Sequence, residues 1–310
     1  MFNILISGCS GFLAQHLCGR LLRQDGRSLH GITEVSDYSH PTMAVHRVDL
    51  RDADAVRRTV RAIKPAWTFH LAAISNVAFA WKNQALTYEV NIIGSANLLE
   101  ALAAESPSSR VILMSSGEIY RHVPGRANPE DAPLSPTNPY ALSKWAMEML
   151  AAFYPPGRLQ IMTIRGFNFT GPGQDRKFVT SDFAAQIAEI EKGRRKPPLR
   201  VGNLAAVRDF SDVRDIARYL ETIAERGDPG EVYNLCSGKR FAVADILKRL
   251  LSLASVPIEV IQDPEKFRPV DMPEVAGDCR LIQSRFGLFP EIPMERTLLD
   301  LLNDWRERIP

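Results

Sequence analysis

Cysteine is scarce in this chain, and the four that occur are widely separated. They form no Cys-x-x-Cys pair, and no histidines stand at the spacing of zinc ligands, so neither a disulfide framework nor a structural metal is expected. Free thiols suit a reducing compartment, and we expect a cytoplasmic protein without a metal. The cysteines are Cys9, Cys18, Cys236 and Cys279.

Long apolar runs and an excess of one charge are also missing. The opening run Met1 to Ser7 is too short for a signal sequence and leads into glycines, so we expect neither export nor a membrane partner. Basic residues number 38 and acidic residues 36, for a net charge of +2, and their mixing argues against a nucleic-acid partner. The 310 residues, 45% of them hydrophobic, suffice for one large core and a smaller lobe.

Short β-rich runs alternate with longer segments of helical period in the N-terminal half. This pattern predicts an α/β fold, a doubly wound parallel sheet of the Rossmann type with a smaller, mostly C-terminal, substrate-binding lobe. We assign 1–166 to a dinucleotide-binding domain, with 208–238 returning to it, and 167–207 and 239–310 to the lobe. The predicted strands are Phe2 to Ser7, Leu29 to Thr33, Ala44 to Asp49, Thr68 to Leu71, Val111 to Ser115, Leu159 to Ile164 and Val232 to Leu235. The predicted helices are Leu13 to Arg23, Ala53 to Ile63, Ala85 to Ala104, Tyr140 to Phe153, Ser181 to Lys192, Val243 to Leu253 and Met294 to Arg306.

A glycine turn follows the first predicted strand. Gly8, Gly11 and Ala14 lead directly into a helix, and residues this small let backbone N–H groups and the helix N-terminus approach a pyrophosphate. Ala14 stands where a third glycine is often found, and one methyl group should be tolerated there. An ordinary glycine turn is the alternative.

Acidic residues end the second and third strands. A carboxylate at Glu34 would accept from both adenosine ribose hydroxyls and repel a 2′-phosphate, so NAD(H) is favoured and NADP(H) stays possible; a solvated loop glutamate is equally open. Asp49 and Leu50 are suited to the adenine edge, although Asp49 could instead cap the helix that opens near Asp52.

A tyrosine and a lysine four residues apart follow a helix-start signal. Asn138 and Pro139 read as an N-cap and first helical residue, which places Tyr140 and Lys144 on one helix face. The ammonium would lower the pKa of the phenol and reach the cofactor ribose, making Tyr140 a usable acid or base. Such a pair alone is a weak signal.

The strand Val111 to Met114 delivers Ser115 and Ser116 to the carboxyl end of the sheet, where open α/β sheets bind ligands. Ser116 could hydrogen-bond a substrate oxygen while Tyr140 exchanges its proton, or the serines could merely cap the strand. Glu118 follows at the same rim, either as a solvated acid or as a general base that removes a proton alpha to a carbonyl.

These residues resemble a known family, the extended short-chain dehydrogenase/reductases, which include the NAD-dependent epimerases and dehydratases. The resemblance covers essentially the whole chain. It rests on Gly8-Cys-Ser-Gly11-Phe-Leu-Ala14, Asp49-Leu-Arg-Asp52, His70-Leu-Ala-Ala73, Ser115-Ser-Gly-Glu118-Ile-Tyr120 and Tyr140-Ala-Leu-Ser-Lys144. Further segments resemble the branch that acts on GDP-mannose-derived sugars: Arg165 to Gln174, Phe178 to Thr180, Val201 to Leu204, Arg208 to Asp212 and Arg268 to Asp271.

The resemblance implies a cofactor site and a GDP-sugar site. Arg208 and Arg268 would clamp the diphosphate, Asn168 would add a neutral donor and Asp271 would hold the nucleotide ribose; Arg208 and Asp209 could instead be a surface pair. The other implied substrate contacts are Ser75, Val179 and Asn203, and the other implied cofactor contacts are Phe12, Leu13, Leu71, Ala72 and Ala73. Phe169 and Arg121 depart from the family pattern, where histidine and glycine are common.

The resemblance favours NAD(P)H-dependent reduction of the C4 ketone of a GDP-linked 4-keto-6-deoxy sugar. A 4,6-dehydratase that uses Glu118 as base, a 4-epimerase, and a catalytically silent nucleotide-binding scaffold remain alternatives. The family also implies a homodimer through a four-helix bundle of the Ala85 to Ala104 and Tyr140 to Phe153 helices. Alanine faces at Ala101, Ala103, Ala104, Ala151 and Ala152 would permit close approach, unless they are buried against the sheet.

Overall fold

A large parallel sheet forms the centre of the protein, which a computed structural model describes over residues 2–267 and 272–310. Within these residues its seven strands lie in the order β11-β6-β5-β4-β1-β2-β3, and every neighbouring pair is parallel. The strand order reverses between β1 and β4, which creates the crevice where such sheets bind ligands. The strands are β1 (Phe2–Ser7), β2 (Arg27–Thr33), β3 (Ala44–Arg47), β4 (Trp67–His70), β5 (Arg110–Ser116), β6 (Gln160–Gly166) and β11 (Val232–Leu235).

Helices cover both faces of this sheet, as the doubly wound prediction requires. On one face α1 (Phe12–Leu21) and α8 (Val213–Arg226) bury side chains such as Leu17 and Leu220 against the strands. On the other face α2 (Ala53–Ile63) and α6 (Pro139–Ala151) bury Val60 and Met147. The apolar residues at helical spacing therefore find the sheet that their period predicted.

The predicted helix Ala85 to Ala104 is confirmed, with an irregular middle. Helix α3 (Val77–Lys82) comes first, followed by α4 (Gln84–Tyr88) and α5 (Gly94–Glu105). A π-helical turn at Glu89–Ile93 joins α4 to α5. Asn91 lies buried within that turn. Such turns accommodate one extra residue and occur often near functional sites.

The smaller lobe has its own apolar cluster, which includes Phe183, Ile246 and Leu298. These side chains come from α7 (Val179–Glu191), α9 (Val243–Ser252) and α11 (Met294–Arg308), and α10 (Arg280–Phe286) packs near β11. Short strands complete it: β7 (Asn168–Thr170), β8 (Leu199–Val201), β9 (Val207–Arg208), β10 (Phe210–Asp212), β12 (Phe241–Ala242), β13 (Val260–Gln262) and β14 (Glu274–Val275).

The chain returns from the lobe to the large sheet, as expected for Val232 to Leu235. Strand β11 pairs with β6 at the sheet edge, which confirms that strand, whereas β9 and β10 pair with strands of the lobe. The exact domain division stays a prediction. None of the described helices has both the length and the apolar character that a membrane span requires.

Candidate active site

A cavity of about 610 Å³ opens at the carboxyl ends of β1, β4 and β5. Its size falls in the range of ligand and cofactor sites. It brings together predicted residues that lie far apart in sequence. These are Gly8, Gly11, Phe12, Leu13, Glu34, Asp49, Leu50, Leu71, Ala72, Ala73, Ser75, Ser116, Glu118, Tyr140, Lys144, Asn168 and Val179.

The turn after β1 has room only for glycine at Gly8. Its φ is +69°, and a Cβ atom there would lie 2.7 Å from the Cα of Ala72, so a larger residue would be strained and would also collide with the neighbouring loop. Helix α1 then begins without a side-chain cap and without an acidic residue in its first turn. Its free N–H groups and positive end suit a pyrophosphate, and the residues present fit a dinucleotide.

The predicted adenosine end carries several charges. Asp49 accepts from the Arg51 guanidinium, with Nη2 to Oδ2 at 2.7 Å, and this contact holds the pKa of the Asp49 carboxyl below its usual range. Asp52 caps the N-terminus of α2 by accepting from the Ala55 N–H at 2.9 Å. Asp49 therefore does not cap that helix. Glu34 is exposed at the cavity rim and acts electrostatically on Arg51.

A buried chain of hydrogen bonds fixes the loop that follows β4. The Ala72 N–H donates to Ser7 Oγ at 3.3 Å, and Ser7 Oγ lies 2.6 Å from Nδ1 of His70. On the other side of the ring, Nε2 lies 2.8 Å from Ser95 Oγ, whose hydroxyl donates to the Asn91 carbonyl. Because the Ser95 hydroxyl donates elsewhere, Nε2 of His70 must carry the hydrogen that Ser95 Oγ accepts. Burial, together with the charge of Lys144, lowers the pKa of His70 to about 3, so the ring stays neutral.

Asn91 ties the same loop to the helix that carries Tyr140. Its side chain accepts from the Ile74 N–H at 2.8 Å and donates to Ser143 Oγ at 2.9 Å. Sequence reasoning missed both His70 and Asn91 as site residues. The signal for His70 was present in the quoted motif, whereas Asn91 depends on the π-helical turn, which no sequence pattern indicated.

Ser116, Tyr140 and Lys144 converge on one wall of the cavity. Asn138 caps α6 by accepting from the Ala141 N–H at 2.8 Å, with Pro139 at the first position, which confirms the predicted helix start. The Ser116 hydroxyl lies near enough to the Tyr140 phenol to act on its pKa and accepts from the Glu118 N–H at 3.2 Å, while Lys144 Nζ donates to the Met114 carbonyl at 2.6 Å. The neighbouring Ser115 Oγ is buried without a protein partner among the described residues, as a ligand-facing hydroxyl would be.

The electrostatics differ from the sequence-based expectation. Burial raises the pKa of Tyr140 to about 12; the nearby Ser116 hydroxyl opposes this shift and the charge of Glu118 adds to it. Burial also lowers the pKa of Lys144 to about 7. The expected lowering of the phenol's pKa is therefore not found in this structure, because the desolvation of Tyr140 dominates. Tyr140 is a neutral proton donor at neutral pH.

Glu118 lies at the cavity rim and is half-buried. Its Oε2 accepts a long hydrogen bond of 3.4 Å from Asn138 Nδ2. The carboxylate is thus close to Tyr140 and keeps lone pairs for a further contact, as either a base or a substrate acceptor would require.

The predicted sugar-nucleotide residues separate into two groups. Asn168 and Val179 line the cavity, as does Phe169, whose ring stacks on Phe12 at 6.1 Å between centroids. Asn203 and Arg208 are not among its described lining residues. Arg268 and Asp271 lie outside the described residues.

Arg208 is 6% exposed, and its Nη1 donates to the Val207 and Met272 carbonyls. Its strand partner Val275 lines the cavity. Asp209 is buried as well and accepts from Ser237 and Gly238, so the alternative of an Arg208–Asp209 surface pair is wrong.

The alanine faces proposed for a helix bundle are divided. Ala101 and Ala151 are buried in the protein's own core, whereas Ala104 and Ala152 are exposed. Larger apolar side chains on these helical segments or just after them are exposed: Leu86, Ile93, Leu142, Met149 and Phe153.

The fold and the site together define a nicotinamide-dinucleotide-dependent oxidoreductase of the extended short-chain type. The chain belongs to the family described as GDP-mannose 4,6 dehydratase, whose model matches residues 5–301. It is 32% identical to the GDP-6-deoxy-D-mannose reductase of Pseudomonas aeruginosa over 314 aligned residues, covering 99% of this chain and 98% of the relative.

Solved structures agree with this assignment. RMD from Pseudomonas aeruginosa, complexed with NADPH, superposes with a TM-score of 0.86 at 30% identity and full coverage of both chains. The UDP-glucose 4-epimerase of Thermus thermophilus, in complex with NAD, has a TM-score of 0.90 at 26% identity, covering 99% of this chain and 100% of that one.

Proposed function

We propose that this chain reduces the C4 ketone of a GDP-linked 4-keto-6-deoxy-mannose to a product of the GDP-rhamnose type, with NAD(P)H as the reductant. The observation that carries the proposal is the convergence of the Tyr140 phenol, the Ser116 hydroxyl and the Lys144 amine on one wall of the cavity. Ketone reduction requires such a proton donor and such a polarising hydroxyl. The similarity to the GDP-6-deoxy-D-mannose reductase supports the choice of substrate.

The residues divide the work between them. The bound nicotinamide would supply the hydride to C4. Ser116 donates a hydrogen bond to the ketone oxygen, and Tyr140 transfers its proton to that oxygen as negative charge develops. Lys144 would hold the cofactor ribose with its amine, which lines the same cavity wall.

The remaining contacts belong to the same proposal. Gly8, Gly11 and the start of α1 hold the pyrophosphate, while Glu34 accepts from the adenosine ribose and favours NAD(H). Asn168, Val179 and Ser75 contact the sugar nucleotide from the cavity wall. The family resemblance also assigns nucleotide contacts to Asn203, Arg208, Arg268 and Asp271.

Dehydration is the second candidate because Glu118 stands beside Tyr140 at the rim of the same cavity. A 4,6-dehydratase needs a base that deprotonates C5 before the C6 hydroxyl leaves, and Glu118 is the carboxylate available for it. The chain after Glu34 is compact and lacks the long arginine- and serine-rich cofactor loop of that branch, which favours the reductase.

The enzyme also fits a homodimer in the cytoplasm. Exposed apolar side chains along the segment from α4 to α5, along α6 and just after α6, among them Phe153 at 73% and Ile93 at 51% exposure, would be covered in a four-helix bundle of two subunits. The four cysteines are free thiols, which suits a reducing compartment.

Mass analysis of two incubations separates the candidates. The protein is given GDP-mannose with NAD(P)+, or GDP-4-keto-6-deoxy-mannose with NADH or NADPH. We expect a gain of two hydrogens on the keto sugar and no change in GDP-mannose. Loss of water from GDP-mannose would support the dehydratase activity in place of the reductase activity. If neither sugar is converted, both proposals are contradicted.

A further inference from the structure

A buried ion pair lies one helical turn beyond Lys144 on α6. Glu148 accepts from the guanidinium of Arg165, with Nη2 to Oε2 at 2.8 Å and Nε to Oε1 at 3.1 Å. Both side chains are 7% exposed. A pair this buried adds little net stability, because the desolvation of two charges offsets their attraction. Net stability therefore does not explain why this ion pair lies beside Lys144.

Arg165 lies on β6, the strand next to the one that carries Ser116. Its backbone on β6 pairs in register with Ser115 on β5, next to Ser116. The same guanidinium donates to Tyr120 Oη at 2.9 Å and to the Glu130 carbonyl at 2.7 Å. The guanidinium thus donates to both carboxylate oxygens of Glu148, to Tyr120 and to Glu130. Because these acceptors lie in three separate segments, Arg165 fixes the position of the Glu148 carboxylate.

The surroundings of Lys144 leave Glu148 as the anion that acts on it among the described residues. Burial lowers the pKa of Lys144, and the charge of Glu148 opposes that effect. On β4, His70 is neutral, and on the same helix face Tyr140 is a neutral phenol on which the charge of Glu118 acts. The Met114 carbonyl of β5 is the contact on the remaining side.

We propose that Glu148 and Arg165 are positioning residues, with Arg165 fixing the Glu148 carboxylate so that its charge keeps the Lys144 amine protonated above the cavity. The catalytic consequence rests on the proposed reduction, whereas the effect on Lys144 does not. Neither side chain lines the cavity among the described residues, so both act through Lys144.

The direct test is a carbon-13 NMR titration of the protein labelled at lysine Cε, with Lys144→Met identifying the resonance. Glu148→Gln keeps the shape of the side chain and removes its charge. We expect the pKa of Lys144 to fall by about one unit, as loss of a nearby buried charge allows. If the enzyme reduces the keto sugar, the alkaline limb of kcat should move down by the same amount, so that kcat above neutral pH falls about tenfold while KM for the cofactor changes less.

Glu221→Gln is the matched control. Glu221 pairs with Arg27 at 2.6 Å, and the two side chains are 6% and 8% exposed, but the pair lies on the opposite face of the sheet between α8 and β2. This variant should lose comparable stability and leave the Lys144 titration unchanged.

A double variant guards against misfolding. Glu148→Gln leaves a buried guanidinium unpaired, and Arg165→Met in the same chain removes that charge; the pKa of Lys144 should still lie below that of the unmodified protein. A pKa of Lys144 that stays unchanged in the single and double variants, or moves equally in Glu221→Gln, would overturn the inference. Because the titration needs no substrate, a failure of the ketone assay alone would count against the proposed reaction and not against this pair.

Discussion

Replacement of Tyr140 by phenylalanine tests the proposed chemistry most directly. The change deletes one phenolic oxygen and keeps the ring that lines the cavity. The helix start at Asn138 is untouched, so the fold and the Lys144 contact with Met114 should persist.

The expected loss follows from the role of the group. A positioned proton donor contributes about 10² to 10⁴ in rate, and Ser116 remains as one donor to the ketone oxygen. We therefore expect kcat to fall by about 10³, equivalent to roughly 4 kcal/mol of transition-state stabilisation. Because burial raises the pKa of Tyr140 to about 12, the phenol is protonated throughout the neutral range, and the defect should not vary with pH there.

The assay compares steady-state reduction of the keto sugar with cofactor binding measured by fluorescence or calorimetry. Affinity for the cofactor should change little, since the phenol acts on the transferred proton. Tyr219→Phe is the control, because the Tyr219 hydroxyl is buried in α8 without a hydrogen-bond partner among the described residues. A tenfold or smaller loss of kcat in Tyr140→Phe, or an equal loss in Tyr219→Phe, would refute the reasoning.

Four further predictions concern other parts of the molecule. Glu118→Gln should spare ketone reduction and abolish any dehydration, measured by mass analysis of both reactions; equal loss of both would remove its role as base. The ratio of kcat/KM for NADH to that for NADPH should exceed one and fall in Glu34→Gln, while a strong preference for NADPH in the unmodified protein would contradict the interpretation of Glu34. Met149→Lys should convert a dimer to a monomer in light scattering, since Met149 is 48% exposed on α6, and a monomeric unmodified protein would exclude the bundle. Lys144→Met should raise the melting temperature most at and below neutral pH and little near pH 10, and a uniform change across pH would be inconsistent with a buried, titrating amine.

Local patterns predicted the large sheet and the cavity floor well. Helix α2 has the predicted bounds Ala53–Ile63, and each predicted strand agrees with the observed one to within two residues at either end. The reason is that buried apolar periodicity and the cap at Asn138 are encoded within a few residues. Ser116, Tyr140 and Lys144 were predicted to converge because strand ends and one helix face leave them few other positions.

The features that depended on burial or on distant partners were not predictable in this way. The raised pKa of Tyr140 reflects how closely the folded chain surrounds the phenol, whereas the sequence indicated only that an ammonium stands nearby. The lobe strands are two or three residues long and pair across long separations, as β9 does with β14, so they carry no usable period. Burial of Arg208 and Asp209 is likewise a property of the assembled lobe.

The state of Lys144 connects stability to function. Its folded pKa is lowered to about 7, against roughly 10.4 in an unfolded chain, so between these values the unfolded state binds more protons and stability increases with pH. Below about pH 7 both states hold the proton, and the folded protein bears the full cost of a buried ammonium, on the order of a few kcal/mol. Inside the protein that ammonium has the Met114 carbonyl and the charge of Glu148 to offset the cost. Ribose hydroxyls of a bound dinucleotide would add acceptors at the same atom, so the residue that weakens the isolated fold is the one that should gain most when the cofactor binds.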